Sequence, residues 1–333
     1  MLFIGSAAFA ASTNSAVTNP ALSATANVET NDPVEAEYEK LLELDEAAGQ
    51  EIDNWILENQ KFAEQGAGVP KEELIRRIDQ RRESVRAAYE DFIKRHPRHG
   101  RIRLAYASFL EDGRDLDGAL EQMLKAKEID PTNPAVWNNL ANYYGHYGGV
   151  TNSFTHYEKA IELDPNESVY YQNFGTTVYL FRPDAMRHYG ITEQQVFDKA
   201  LVLYSNAMVL DPTNFLLATD VAMTYYGIKP PRWDDARAAW NKALTLADGS
   251  LQREGVLVHL GRIEISVGRF DQARAYLNSI TNAELAELRD RVLRNMAAKE
   301  SGVPVSEAKS EEANSTTAPA AGSSTNQSPA SNP

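Results

Sequence analysis

The sequence predicts an all-α fold in which helix pairs stack into a solenoid behind a long N-terminal helical hairpin. Over most of residues 33–299, apolar residues recur three and four positions apart, which is the period of an amphipathic helix. Four prolines, Pro97, Pro131, Pro165 and Pro212, each follow one helical pattern and precede another, at intervals of 34, 34 and 47 residues. Proline cannot continue a helix but is well tolerated at its start. A period of this length is typical of helical repeats.

Composition narrows the classes of function. The chain has 333 residues, of which 43% are apolar and 24% charged, so most of it is expected to fold. Its net charge of −14 disfavours binding to nucleic acid or anionic lipid, because both require a basic surface. We therefore predict no nucleic-acid partner. The absence of cysteine excludes thiolate catalysis, disulfides and thiolate metal sites.

The two ends of the chain differ from the rest. Residues 1–10 hold a short apolar run that ends in Ala8-Phe9-Ala10, the small-x-small form of a signal cleavage site, although no positive charge precedes it. We interpret it as a clipped signal segment and predict a periplasmic or secreted protein, with the cytoplasm as the alternative. The run is too short to cross a bilayer, so no direct membrane span is expected. Residues 11–32 are predicted to be a disordered linker, and residues 300–333 a disordered tail rich in Ala, Ser, Thr, Asn and Pro.

Residues 33–97 are predicted to form the helical hairpin. Gly66, Gly68 and Pro70 separate its two helical patterns. Residues 29–64 carry twelve acids and two lysines, whereas residues 71–101 carry ten Lys or Arg and six acids. Antiparallel packing would bring these opposite charges together, but each exposed pair contributes only about 0–1 kcal/mol. The apolar stripe is therefore expected to stabilise the hairpin.

The repeat is clearest from Pro134 onward. In a frame of 34 residues, Trp137 occupies position 4, Leu140 position 7, Ala141 position 8 and Tyr144 position 11. This pattern strongly resembles the tetratricopeptide repeat (TPR), a helix–turn–helix unit. The resemblance extends over residues 98–299, as about five units and a capping helix, and implies a right-handed α-solenoid. It also implies that the four named side chains lie in the core and that position 8, where Gly175 stands in the next unit, is the closest approach of paired helices.

The resemblance further implies a concave surface that binds extended peptides. It assigns positions 2, 5, 9, 12 and 13 of each first helix to that surface. Asn and Gln suit a peptide backbone because they donate and accept hydrogen bonds, although Asn at such positions is also common in repeats without a known ligand. Lys and Arg are nearly absent, so the basic clamp that some members use on a carboxylate is not visible. The predicted partner-binding residues are Asn138, Asn142, His146, Gln172, Thr176, Tyr179, Thr219, Met223, Tyr226 and Arg262, accompanied by Gly145, Leu180 and Val258.

The third unit contains thirteen extra residues between its helices. Four charged or titratable residues cluster in residues 182–190: Arg182, Asp184, Arg187 and His188. One interpretation is a lid or contact arm at the edge of the groove. The alternative is a surface loop ordered by an Arg–Asp pair. Thr192 and Gln195 have the spacing of a capping box that begins the next helix.

No pattern indicates catalysis. The six histidines form no metal signature, and phosphate-binding and nucleophile motifs are missing, so we predict no catalytic residue, metal or cofactor and interpret the histidines as solvated loop residues. The predicted function is a non-catalytic scaffold or adaptor that binds a protein or peptide in the groove. One alternative is an accessory or glycan-binding subunit of an envelope complex, with Tyr179 and Tyr226 stacking on sugars. Another is a structural protein that self-associates through the hairpin.

Overall fold

The computed structural model describes residues 32–302. This part of the chain contains fourteen α-helices and two short 3-10 turns, without a strand. The predicted all-α class is confirmed. Within the same residues, every helix is too short or too polar to span a bilayer. The predicted signal segment, nearly all of the predicted linker and most of the predicted tail lie outside the described residues.

The hairpin is formed by α1 (Pro33–Glu64) and α2 (Lys71–Arg95). Helix α1 begins where the Asp32 carboxylate accepts a hydrogen bond from the Val34 amide at 2.9 Å, with proline in its first turn. Between the helices Gly66 adopts a φ of +77°, which only glycine reaches without strain, and the Val69 amide donates to Asn59 Oδ1 at 2.7 Å. The turn is therefore fixed by backbone and side chain together.

The chain divides into two compact units, the first ending at Pro212 and the second beginning at Thr213. The hairpin thus belongs to the first unit together with the helices that follow it. Those helices are α3 (Gly100–Asp112), α4 (Leu116–Ile129), α5 (Pro134–Tyr147), α6 (Val150–Leu163), α7 (Ser168–Leu180), α8 (Arg182–Tyr189) and α9 (Glu193–Leu210). The second unit contains α10 (Phe215–Thr224), a 3-10 turn (Tyr225–Gly227), α11 (Trp233–Leu246), α12 (Gly249–Ser266), α13 (Phe270–Asn278), a second 3-10 turn (Ala283–Leu285) and α14 (Ala286–Glu300).

Small residues at position 8 allow the paired helices to approach closely. All five of these positions, Ala107, Ala141, Gly175, Ala222 and Gly261, are buried. A Cβ added to Gly175 would lie 3.0 Å from Tyr204 Cε1, and one added to Gly261 would lie 3.0 Å from Leu277 Cγ. The predicted repeat frame is therefore correct at the position that controls helix spacing.

At position 4 of the repeat, the prediction that Trp137 lies in the core is wrong. Trp137 is half-buried, and its indole Nε1 donates to the Pro131 carbonyl at 2.8 Å. Position 4 of the neighbouring units makes the same bond, from Arg103 to the Pro97 carbonyl at 3.3 Å and from Tyr171 to the Pro165 carbonyl at 3.2 Å. The polar atom of each side chain requires an acceptor, and the preceding turn offers one near the surface. Within the predicted core set, Leu140 and Ala141 are buried, whereas Tyr144 is half-buried.

The insertion in the third unit is helical, which corrects the expectation of a loop. Residues Arg182–Tyr189 form α8, with Pro183 in its first turn and Gly190, at a φ of +64°, after its last residue. Arg187 and His188 lie in the last turn, where a positive charge is favoured by the helix dipole. The predicted capping box is confirmed: Thr192 N donates to Gln195 Oε1 at 2.9 Å, and Gln195 N to Thr192 Oγ1 at 3.4 Å.

Candidate functional site

Asn138 is fully buried, so the prediction that it lines an open groove is wrong. Its Oδ1 accepts a hydrogen bond from Asn173 Nδ2 of α7 at 3.2 Å, and its Nδ2 is buried without a partner. Gly145, in the same predicted set, is also buried, near Ser153 and Thr177. The physical reason is that α7 packs on this face of α5, so a polar side chain is placed between two helices.

A network of amide and hydroxyl groups continues along the same face. Asn142 Oδ1 accepts from the hydroxyl of Tyr157, which in turn accepts from Thr177 Oγ1 at 3.3 Å. One unit further on, Thr176 Oγ1 and the Tyr204 hydroxyl share a hydrogen bond of 3.0 Å. Asn142 and Thr176 are half-buried, as is Gln172. Asn142 Oδ1 and Thr176 Oγ1 are thus already hydrogen-bonded within the fold.

Tyr179 and Arg182 are brought together at the end of α7. The Arg182 guanidinium lies 5.1 Å from the centre of the Tyr179 ring, and its Nη1 donates to the Tyr179 carbonyl at 2.6 Å. Burial raises the pKa of the Tyr179 hydroxyl, and nearby Arg182 opposes that shift. Leu180 beside them is 58% exposed. This corner combines a cation, a ring and an uncovered apolar side chain.

The other insertion residues have local partners. Arg187 and Asp184 form an ion pair of 2.5 Å one helical turn apart. The His188 ring packs against Phe154 at 5.4 Å, so α8 is held on α6. Of the remaining predicted residues in the first unit, His146 is exposed at the end of α5.

The second unit contains an aromatic–arginine cluster, defined as Tyr226, Trp233, Trp240, His259 and Arg262. The rings of Trp240 and His259 are stacked, with centres 4.0 Å apart and planes 6° apart. A hydrogen bond of 3.1 Å joins the Tyr226 hydroxyl to His259 Nδ1, and the Tyr226 ring lies edge-on to Trp233 at 6.5 Å. Tyr226, which was predicted from the sequence to bind a partner, therefore lies in contact with rings that the sequence analysis did not assign to a site.

His259 corrects the interpretation of the histidines as solvated loop residues. It lies inside α12, and burial lowers the pKa of its imidazole to about 3, with a further contribution from Arg262. His99 also has a structural role, because its Nδ1 accepts from the Ile102 amide at the start of α3. A histidine within the apolar pattern of a helix, between Val258 and Leu260, is the sequence signal that could have revealed this burial.

Arg262, another predicted site residue, has an unusual electrostatic environment. Burial lowers the pKa of its guanidinium, and the positive charge of Arg291 lowers it further. Within residues 32–302, none of the ion pairs with N–O distances up to 4.0 Å involves Arg262. A half-buried cation without a counter-charge is costly to keep desolvated. The arrangement would accept a carboxylate from outside the chain.

The remaining predicted residues of this unit belong to two helices. Thr219 and Met223 are half-buried on α10, and the Thr219 hydroxyl donates to the Leu216 carbonyl of its own helix at 2.7 Å. Val258, which the sequence placed on the groove surface, is fully buried. That expectation is wrong because Val258 packs in the apolar core with Leu277 and Ile280.

An acidic group at the end of α3 was not predicted. Glu111 and Asp112 occupy the last turn of α3, and Asp45 of α1 lies near Asp112. Burial raises the pKa of Glu111 to about 7, and the charge of Asp112 raises it further. Burial likewise raises the pKa of Asp112, which Arg82 partly counteracts. Only the three-dimensional packing of α1 and α2 against α3 brings these carboxylates together.

The first unit also contains a polar cleft of about 400 Å³ between α2, α3 and α4. At its floor Arg103, which is 9% exposed, donates to Gln122 Oε1 at 2.8 Å. Its walls combine positive and negative side chains, including Lys94, Glu121 and Lys125. In the part of the chain that the structure describes, no three His, Asp or Glu side chains are arranged to hold a metal ion.

Paired helices joined by short turns, with polar side chains and aromatic rings on their first helices, define a helical-repeat scaffold for protein interaction. Residues 80–134 and 134–167 match two family models, each described as a tetratricopeptide repeat. Residues 80–167 of the chain are therefore tetratricopeptide repeats. The fold of this repeat family is generally a non-catalytic one for protein interaction.

Several solved structures resemble this chain but are distant from it in sequence. PilW, a widely conserved type IV pilus biogenesis factor, is 16% identical over 72% of this chain and 98% of its own, with a TM-score of 0.50. Pseudomonas aeruginosa PilF is 15% identical over 74% of this chain and 99% of its own, with a TM-score of 0.48. YrrB, a TPR protein with an unusual peptide-binding site, is 14% identical over 62% and 97%, with a TM-score of 0.47. None of the curated proteins compared with the chain matches it.

Proposed function

We propose that the protein is a non-catalytic scaffold that binds an extended segment of a partner protein, and that Arg262 binds an acidic side chain of that segment. The observation that carries this proposal is the half-buried guanidinium of Arg262, which lacks an ion-pair partner within residues 32–302. A carboxylate delivered by a partner would supply the missing charge and form charge-assisted hydrogen bonds. Arg is also common among the residues that dominate binding energy at interfaces.

The aromatic–arginine cluster favours a peptide over a glycan. A sugar requires an aromatic ring with an open face. Trp240 is only 2% exposed and its face is covered by His259, while the Tyr226 hydroxyl is hydrogen-bonded to the same histidine. The rings therefore stabilise one another and orient the surroundings of Arg262. At the other predicted location, the Tyr179 ring is approached by Arg182 and Leu180 remains exposed, which suits an apolar side chain of a peptide.

Arg262→Gln tests the proposal in the full chain. Peptides selected from a displayed library for binding to the parent protein are expected to contain acidic residues. They should bind Arg262→Gln at least about tenfold more weakly, a loss of about 1.4 kcal/mol. Arg253→Gln is the matched control, because Arg253 is an exposed arginine on the same helix. Affinities are compared by calorimetry.

Two results would contradict this function. One is that the selected peptides bind Arg262→Gln and the parent equally. The other is that no peptide is selected from the library while the protein binds polysaccharides on a glycan array. That result would favour the envelope glycan-binding alternative. The location outside the cytoplasm stays a prediction, which N-terminal sequencing of the mature protein from its native host tests independently.

A further inference from the structure

The N-terminal hairpin has two halves with different environments. At its base, Tyr38, Leu41 and Ala48 of α1 and Val85, Tyr89 and Phe92 of α2 are buried in the core that they share with α3. Between residues 49 and 84, which we call the distal arm, no residue is buried. Helices α1 and α2 therefore extend beyond the core, and in the distal arm both helices are largely exposed to solvent.

The distal arm is ordered but incompletely covered. Arg81 pairs with Glu51 at 2.9 Å, and the Arg77 guanidinium lies 3.8 Å from the centre of the Trp55 ring, so the two helices remain in contact. Four large apolar side chains on the arm are nevertheless about half exposed: Leu57 (49%), Phe62 (52%), Val69 (48%) and Ile75 (46%). Two helices alone cannot enclose an apolar stripe of this width, whereas four helices can.

The charges of the arm are self-complementary. Helix α1 contains ten Asp or Glu and two Lys, whereas α2 contains eight Lys or Arg and six Asp or Glu. The sign difference persists in the distal arm, where α1 has four acids and one lysine and α2 has five basic and four acidic residues. In a two-fold symmetric pair, each surface meets its own copy, so α1 of one chain can face α2 of the other in both halves of the interface.

We propose that the distal arm is a self-association surface, on which a second copy of this chain packs to form a four-helix bundle with α1 of each copy against α2 of the other. The exposed apolar side chains supply the buried area of this bundle, and the opposite charges of the helices select the pairing. This surface lies in the first compact unit and does not depend on the peptide site at Arg262.

Light scattering of the full chain after size-exclusion chromatography, over a wide concentration range, measures the association. The parent is expected to form a dimer, and Leu57→Glu/Phe62→Glu should raise its dissociation constant at least about tenfold. Val209→Glu is the matched control, because Val209 is 78% exposed on α9 and should leave the dimer unchanged. Circular dichroism verifies that each variant remains helical.

Charge reversal tests the pairing itself. Glu58→Lys/Glu64→Lys makes both helices of the arm basic, and Lys71→Glu/Arg76→Glu makes both acidic. Each variant alone should be monomeric, and an equimolar mixture of the two should form a heterodimer. A monomeric parent at every concentration, a dimer that survives both substitutions in Leu57 and Phe62, or a mixture that fails to pair would each overturn the proposal.

Discussion

At the scale of single residues, Gly175 shows how one missing side chain sets the distance between two helices. The position where its Cβ would lie is 3.0 Å from Tyr204 Cε1 and 3.1 Å from Tyr204 Cδ1. Tyr204 cannot simply rotate away, because it is buried and its hydroxyl is bonded to Thr176. Any larger side chain at position 175 therefore has to separate α7 from α9.

Gly175→Leu is expected to destabilise the protein by about 1–3 kcal/mol or more, the range for overpacking a close contact. Urea melts followed by circular dichroism measure this loss. Gly49→Ala is the control, because no atom lies within 4 Å of its added Cβ. That change in the middle of α1 should be neutral or stabilising, by up to about 1 kcal/mol. Equal melts for Gly175→Leu and the parent would mean that the contact with Tyr204 is absent in solution.

The same scale explains which site residues the sequence could identify. Position 8 was predictable because only a small residue fits, and the sequence contains Ala or Gly at every such position. The environments of Trp137 and Asn138 were not predictable from apolarity. Trp137 lies nearer the surface than expected because its indole N–H bonds to the Pro131 carbonyl. Asn138 lies deeper than expected because Asn173 donates a hydrogen bond to it. Hydrogen bonding outweighed hydrophobicity at both residues.

At the scale of elements, the C-terminal turn of α3 combines two unfavourable placements. Glu111 and Asp112 lie where the helix dipole is negative, and Asp45 and Asp53 of α1 lie near Asp112. Burial and Asp112 raise the pKa of Glu111 to about 7. Because the folded protein holds this proton more tightly than the unfolded chain, Glu111 contributes stability at low pH that is lost as the pH rises through about 7.

Glu111→Gln should therefore stabilise the protein at pH 8 and leave it nearly unchanged below the pKa of an unperturbed glutamate. The melting temperature of parent and variant, measured across this pH range, tests the expectation. Glu162→Gln serves as a control, since Glu162 on α6 makes only a local pair with Lys159. A constant difference between Glu111→Gln and the parent at all pH values would contradict the raised pKa.

Helices and turns were predictable where residues typical of helix ends mark their boundaries. Proline and glycine residues predicted the hairpin turn and the starts of the repeats. Thr192 and Gln195 predicted the start of α9. Helix α8 was missed because eight residues are too few to show an apolar period, and only Ala185 within it is buried. The clusters around Glu111 and His259 were missed because they join residues distant in sequence, which no local pattern records.

At the scale of the whole molecule, the two compact units contain titratable groups with opposite effects on stability. Glu111 in the first unit has a raised pKa, so its contribution disappears toward alkaline pH. His259 in the second unit has a pKa lowered to about 3, because burial against Trp240 disfavours the charged ring. Its contribution is complete above the ordinary histidine pKa of about 6.5 and is lost as the pH falls from there toward 3.

The units should therefore respond to pH in opposite directions. On a change from pH 8 to pH 5, peptides from α3 should gain protection in hydrogen exchange relative to Glu111→Gln, and peptides from α12 should lose protection relative to His259→Phe. Phenylalanine keeps the stack on Trp240 but cannot titrate, so this variant removes the acid response while retaining an aromatic ring at the site. Mass spectrometry resolves the two regions in one sample, after correction of intrinsic exchange rates for pH. If protection in α12 falls equally in the parent and His259→Phe, then the buried imidazole is not the group that weakens the second unit in acid.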